Sequence, residues 1–179
     1  LKLQNHPKFK DYLTDDMINT LYKSAPLHDI GKIGIPDHIL LKPGKLTPEE
    51  FEIMKTHTTL GKEAIEHAET QLGFAVDFLK TAKEIAYSHQ EKYDGSGYPL
   101  GLKGDEIPIS ARLMTVADVY DALISRRVYK ESFDLELTIK IMKEGRGTHF
   151  DPDMLDAFLE IKDEFEKIAN SFTDKNSED

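Results

Sequence analysis

Thr47-Pro48-Glu49-Glu50-Phe51-Glu52-Ile53-Met54-Lys55-Thr56-His57 reads as the opening of a helix that carries a histidine towards a core. Thr47 offers a capping hydroxyl. Pro48 takes the first helical position, where no N–H is missed, and Glu50 stands three residues after the cap to close a capping box. Phe51, Met54 and His57 then recur at spacings of three, which predicts that His57 lies on the inward apolar stripe, where an imidazole needs a partner.

The same periodicity extends in both directions. Thr14-Asp15-Asp16 caps a pattern at Met17, Ile18, Leu21 and Tyr22 that Pro26 interrupts, so His28 and Asp29 fall near a helix end where Gly31 can turn the chain. Phe74 to Ser88 is helical by its apolar spacing and ends beside His89, and Asp94-Gly95-Ser96-Gly97-Tyr98-Pro99 then breaks into a loop. Helices are predicted over Pro108 to Ser125, with Asp118 in the middle, over Leu135 to Lys143, and over Asp151 to Ala169 behind an Asp-Pro start. No segment alternates convincingly as a strand. The expectation is an all-α helical bundle.

The chain has 179 residues, 39% of them hydrophobic, enough for one packed domain. Cysteine is absent, so any metal must be held by histidine and carboxylate, and a reducing, cytoplasmic setting is expected. No apolar run approaches the roughly 20 residues of a membrane span. The formal charge of −10, from 33 acids against 23 Lys plus Arg, argues against broad binding to long nucleic acid. A small phosphorylated ligand needs only local cations, for which Arg126-Arg127 and Lys130 are the densest candidates. Residues 1–12 read as the tail of an upstream helix or a linker in a longer protein, 13–169 as the domain, and 170–179 as a disordered tail.

His28 and Asp29 gain meaning from His57, His89 and Asp118, which follow at intervals of 29, 32 and 29 residues, one group to each successive helical segment. A bundle can converge such residues on one pocket. Singly, each has a plainer role as a cap, a satisfied core histidine or a buried acceptor. Together they would bury several imidazoles and carboxylates without a shared reason, which is costly. Metal binding is the better reading. The donor mixture suits Fe, Mn, Ni, Zn or Co. Asp29 could bridge two divalent ions through its two oxygens, with His28 on one and the later histidines on the other, so that a metal-activated hydroxide attacks phosphorus.

These residues resemble the HD-GYP family, a branch of the metal-dependent HD phosphohydrolases, from about Leu13 to about Phe165. The resemblance is carried by His28-Asp29-Ile30-Gly31-Lys32-Ile33-Gly34-Ile35-Pro36, Leu40-Leu41-Lys42-Pro43-Gly44 and Met54-Lys55-Thr56-His57. It continues through Glu91-Lys92-Tyr93-Asp94-Gly95-Ser96-Gly97-Tyr98-Pro99, Ala117-Asp118-Val119-Tyr120-Asp121-Ala122 and Gly147-Thr148-His149-Phe150-Asp151-Pro152. It implies an HD-domain helical bundle and a phosphodiesterase that hydrolyses cyclic di-GMP to the linear dinucleotide or to GMP. It further implies His28, Asp29, His57, His89 and Asp118 as ligands of two ions, Fe or Mn first. Asp29 and Lys32 would serve in catalysis, and Lys32, Tyr98, Arg127 and Lys130 in binding substrate. Relatives often join this domain to an N-terminal receiver or sensory domain, and a homodimer is a further expectation.

Two departures matter. The family places a second histidine after the one matched by His89, where this chain has Gln90, a poor ligand; the second histidine is associated with a third metal, so two ions or a weakened site are expected. A further metal-binding histidine on a preceding helix has no match beyond His6, beside Pro7. These departures keep open a degenerate or truncated module that binds without turnover. Of the other histidines, His38 and His67 read as surface residues and His149 as part of the turn before the last helix.

Overall fold

The computed structural model describes residues 2–73, 76–124 and 134–173. Among them all helical elements and turns alternate without a β-ladder, the one extended pairing being an isolated bridge between Arg146 and Phe150. The all-α expectation holds.

Helix α1, Asp15–Ser24, starts where the Thr14 hydroxyl accepts the Met17 amide at 3.2 Å. Pro26 then lies in a 3-10 turn, Ala25–Leu27, and a second 3-10 turn covers Ile30–Gly34, leaving His28 and Asp29 between the two. Helix α2 is the single turn Asp37–Leu40, and α3, Pro48–Lys55, carries the expected Thr47–Glu50 capping box. Helix α4, His57–Leu72, ends at Gly73, whose φ of 71° closes the helix in the left-handed region that glycine reaches without penalty. Then follow α5 (Asp77–Ser88), α6 (Ile109–Ile124), α7 (Leu135–Glu144), α8 (Pro152–Glu160) and α9 (Lys162–Thr173).

Three local expectations change. The helix expected to run through His57 breaks at Thr56, whose hydroxyl donates to the Ile53 carbonyl at 2.7 Å, a side-chain bond that competes with the helical ladder. His57 therefore opens a new helix, and Phe51 does not share its buried stripe but stands 45% exposed. The helix expected over Asp151 to Ala169 divides at Ile161, where φ of −117° and ψ of 17° leave the helical region.

Helix α5 packs against α1, α4 and α6. One apolar cluster, Ile65, Leu79, Ala82 and Ala86 with Ile30 and Leu27, joins α4 to α5 and to the 3-10 turns. A larger one joins α6, α7 and α8 through Val116, Tyr120, Met142, Leu155 and Phe158, and takes in Leu3 and Phe9 from the N-terminal segment. A fully buried side chain of this size contributes roughly 1.5–3 kcal/mol. Arg112 on α6 is buried and its guanidinium donates to Asp105 and Asp151, both at 2.7 Å, while Asp151 also caps α8 by accepting the Asp153 amide. That charge pair fixes α6 against the start of α8.

The His28-Asp29 segment lies directly on α4 because Gly31 has no side chain. A Cβ there would fall 1.9 Å from the His57 carbonyl oxygen and 2.4 Å from the Gly61 amide nitrogen. Both obstacles are backbone, so no rotamer change relieves them. Gly31→Ala is expected to lower unfolding free energy by about 2–4 kcal/mol in urea denaturation. A variant as stable as the parent would contradict this contact.

Candidate metal centre

Three imidazoles are oriented by the same device. His28 follows the first 3-10 turn, and its Nδ1 lies 2.8 Å from the Ala25 carbonyl oxygen. His57, the first residue of α4, places Nδ1 2.7 Å from the Met54 carbonyl. His89 caps the end of α5 with Nδ1 at 3.0 Å from Ile85 O and 3.2 Å from Ala86 O. A carbonyl only accepts, so each Nδ1 carries a proton and each Nε2 faces the other way, as a free lone pair on the neutral His57 and His89 rings. Metal-binding histidines are commonly fixed by such a bond.

The lone pairs meet Asp29. His57 Nε2 and His89 Nε2 are 3.5 Å apart and lie 3.6 and 3.7 Å from Asp29 Oδ1, forming an almost equilateral triangle. Asp29 Oδ1 is buried without a hydrogen-bond partner. Three acceptors thus face one point with no donor among them, an arrangement that a cation satisfies and that otherwise leaves buried polar atoms unpaired. The centre of a triangle of 3.6 Å edge lies about 2.1 Å from each corner (3.6 divided by √3), the length of a bond from a transition metal to imidazole. The donor set and its size both fit a metal ion. Among the described residues, Asp29, His57 and His89 form the cluster able to hold one.

The other carboxylate oxygen faces a second group. Asp29 Oδ2 lies 3.2 Å from His28 Nε2 and accepts a hydrogen bond from Lys32 Nζ. His28 Nε2 is also 3.7 Å from Asp118 Oδ1, and Gln90 Nε2 donates to Asp118 Oδ2 at 3.4 Å. The five residues read from sequence as ligands are therefore contiguous, with three in one triangle, His28 joined to it through Asp29, and Asp118 joined through His28. Gln90 takes the place of a hydrogen-bond donor to Asp118. Arg127 and Lys130 lie outside the described residues. His6 is elsewhere, stacked on Phe9 at 5.1 Å, and His38 and His67 are exposed.

Burial lowers the pKa of His57, and it lowers that of His89 to about 4 with the help of His28 and His57. At neutral pH both rings keep their lone pairs free. Burial also pulls His28 down, but the hydrogen bond and charge of Asp29 outweigh it and the net shift is upward. For Asp29 burial favours the acid, yet His28 and Lys32 prevail and hold the carboxyl well below the usual range. Tyr98 lies edge-on to His57 at 6.4 Å, and burial, with Asp118 and Asp29, pushes its phenol up to about 12, which keeps the hydroxyl protonated.

One residue that the sequence reading quoted without a role organises this loop. Glu91 is fully buried and accepts the Leu100 amide at 2.7 Å and the Leu102 amide at 3.1 Å, while the Tyr98 amide donates to the Gln90 carbonyl. The signal available was an acid two residues after a candidate ligand and before a Gly/Pro-rich loop, whose unpaired amides need an acceptor. Thr115, also unassigned, donates to the His89 carbonyl at 2.8 Å and ties α6 to the end of α5.

A family model described as an HD domain matches residues 10–154. The chain belongs to the HD domain family. Its resemblance to the HD-GYP branch is supported by curated relatives of this HD domain. A protein of Vibrio cholerae named "probable cyclic di-GMP phosphodiesterase" is 57% identical over 98% of this chain and 40% of its own length. A second from the same organism, named cyclic di-GMP phosphodiesterase, is 55% identical over 94% of this chain and 34% of its own length. One of Thermotoga maritima with that name is 44% identical over 92% of this chain and 43% of its own length. The chain thus spans well under half the length of these relatives. Among the described residues no helix is long and apolar enough to cross a membrane.

The displaced histidines predict how the metal-free HD domain responds to acid. An unfolded chain protonates its histidines near 6.5, whereas folded His89 resists until about 4. The unfolded state then binds the extra proton, so the contribution of His89 is intact above pH 6.5 and is lost progressively down to about 4, a loss of about 3 kcal/mol. His57 and His149, the latter half-buried and lowered to about 4 by desolvation, act in the same direction; His28 opposes them. Urea unfolding of chelator-treated protein is expected to show lower stability at pH 4.5 than at pH 7. Equal or higher stability at pH 4.5 would refute these shifts.

Proposed function

We propose that this domain is the catalytic part of a phosphodiesterase that hydrolyses cyclic di-GMP to the linear dinucleotide or GMP, using two divalent ions, Fe or Mn. The observation that carries the reading is the division of Asp29, with one oxygen towards His57 and His89 and the other towards His28. That is the arrangement expected of a carboxylate shared by two cations. The activity for which the relatives are named supplies the substrate. His28, Asp29, His57, His89 and Asp118 are the proposed ligands.

When bound, such ions lower the pKa of a water towards neutrality and stabilise charge on phosphate oxygens. The chain's own groups do the rest. The Nδ1 bonds hold the imidazoles in the tautomer that binds metal without releasing a proton. Lys32, poised on Asp29 Oδ2, is within reach of a phosphate oxygen presented at that carboxylate, and it gives up an ion pair with a half-buried partner to neutralise one. Tyr98 keeps its phenolic proton and can donate it. Arg127 and Lys130, on the segment after α6, are proposed to meet the substrate's phosphates. The convergence of the five proposed donors supports turnover over the degenerate module. Gln90 supports two ions rather than three, since its amide serves Asp118 as a donor. A receiver or sensory domain elsewhere in the full-length protein and a homodimer are proposed partners, and a cytoplasmic location suits the substrate.

The test is metal content by elemental analysis of anaerobically purified protein, with cyclic di-GMP turnover under added Mn or Fe. Two ions per chain and metal-dependent turnover are expected. Asp29→Ala should remove the paired ions and reduce turnover at least about a hundredfold, whereas Lys130→Ala should act mainly on KM. Full metal content and activity in Asp29→Ala would overturn the mechanism.

A further inference from the structure

Phe51 is a large apolar ring left 45% exposed beside the candidate metal centre. It meets Tyr98 at 6.1 Å between centroids and an interplanar angle of 85°, and Tyr98 in turn meets His57. The Lys55 ammonium lies 5.5 Å from the centroid of Phe51 and 5.7 Å from that of Tyr98. A cation and two rings therefore lead in one unbroken series from solvent to a proposed metal ligand. Core packing does not account for Phe51, because the buried residues of this region are His57 and Thr58 and the ring is half in water.

The ring is also rigidly placed. The capping box fixes the first turn of α3, and Lys42 pairs with Glu50 at 2.6 Å to fasten that turn to the segment after α2. Lys55 is less committed. Its partner Glu52, at 2.6 Å, is 69% exposed, and such an i,i+3 surface pair holds its members weakly.

Resting on the reading of the substrate as cyclic di-GMP, we propose that Phe51 and Lys55 form the seat of one guanine base, Phe51 stacking on its face and Lys55 donating to its O6 and N7. An aromatic face accepts any base, so Phe51 supplies affinity without choice. Lys55 supplies the choice. An ammonium has only donors, and guanine presents two adjacent acceptors on that edge, whereas adenine presents one acceptor beside an amino donor. The seat thus favours guanine over adenine at one end of a cyclic dinucleotide while the metal centre holds the phosphate.

The test is equilibrium binding of hydrolysis-resistant phosphorothioate analogues of cyclic di-GMP and cyclic di-AMP to the Mn-loaded protein. Phe51→Ala is expected to raise Kd for both by about tenfold or more. Lys55→Ala is expected to raise Kd for the guanine analogue about fivefold or more and to leave the adenine analogue within about twofold. Phe51→Trp is expected to keep the affinity. Because the chain contains no other tryptophan, its emission should be quenched as the base stacks. Metal content and circular dichroism confirm that each variant is folded. Unchanged affinity in Phe51→Ala, with no change of emission in Phe51→Trp at saturation, overturns the seat. An unchanged guanine-to-adenine ratio in Lys55→Ala overturns the role of Lys55. A parent protein that binds neither analogue overturns the substrate reading and the seat with it, an outcome distinct from failure of the variants alone.

Discussion

The contact between two glycines sets the geometry on which the rest of the centre depends. Gly31 lies against the Gly61 backbone and the His57 carbonyl with no room for a single carbon atom between them. This brings the His28-Asp29 turn onto the N-terminal end of α4 and hence Asp29 to within 3.6 Å of His57 Nε2. Backbone packed on backbone cannot yield by changing rotamers. Asp29 is therefore delivered to the triangle by steric fit rather than by attraction between like acceptors, which would resist their approach in the absence of a cation.

The imidazoles are held from behind with equal economy. Each uses a carbonyl three or four residues earlier in the chain, a partner that the preceding turn provides. The outward lone pairs are thus set before any ion arrives, and preorganised ligands lose little freedom on binding. The cost is an unpaired carboxylate oxygen in a buried position. Such costs are tolerated where function requires them and are offset by packing elsewhere, here by the two apolar clusters and the Arg112–Asp151 pair that clamp α6 and α8.

Around the centre, residues that touch no proposed ligand atom decide where the loops lie. Glu91 accepts two amides of the segment after Tyr98, and the Tyr93 and Asp94 amides donate to the His149 and Thr148 carbonyls, joining the loop to the turn before α8. Much of the motif string by which the family is recognised is therefore scaffold. It holds Tyr98 against His57, beside Phe51 and Lys55 of α3.

The sequence by itself determined the helical class and the helix starts at Thr14, Thr47 and Asp151, and it singled out His28, Asp29, His57, His89 and Asp118, which the fold brings together. Capping, apolar period and the chemistry of donor atoms are local properties, and they can be read from neighbours along the chain. The break at Thr56, the division at Ile161 and the exposure of Phe51 could not be read in this way, because a hydroxyl's choice of partner and a helix's burial depend on what packs against it. Only the tertiary structure decided the distances at which the Asp29 oxygens face their two groups, that Gln90 serves Asp118, and that Glu91 is a buried anchor. Each of these depends on distances between residues far apart in the chain, fixed by helix packing to a fraction of an ångström, whereas sequence spacing limits such distances only to what the chain can span.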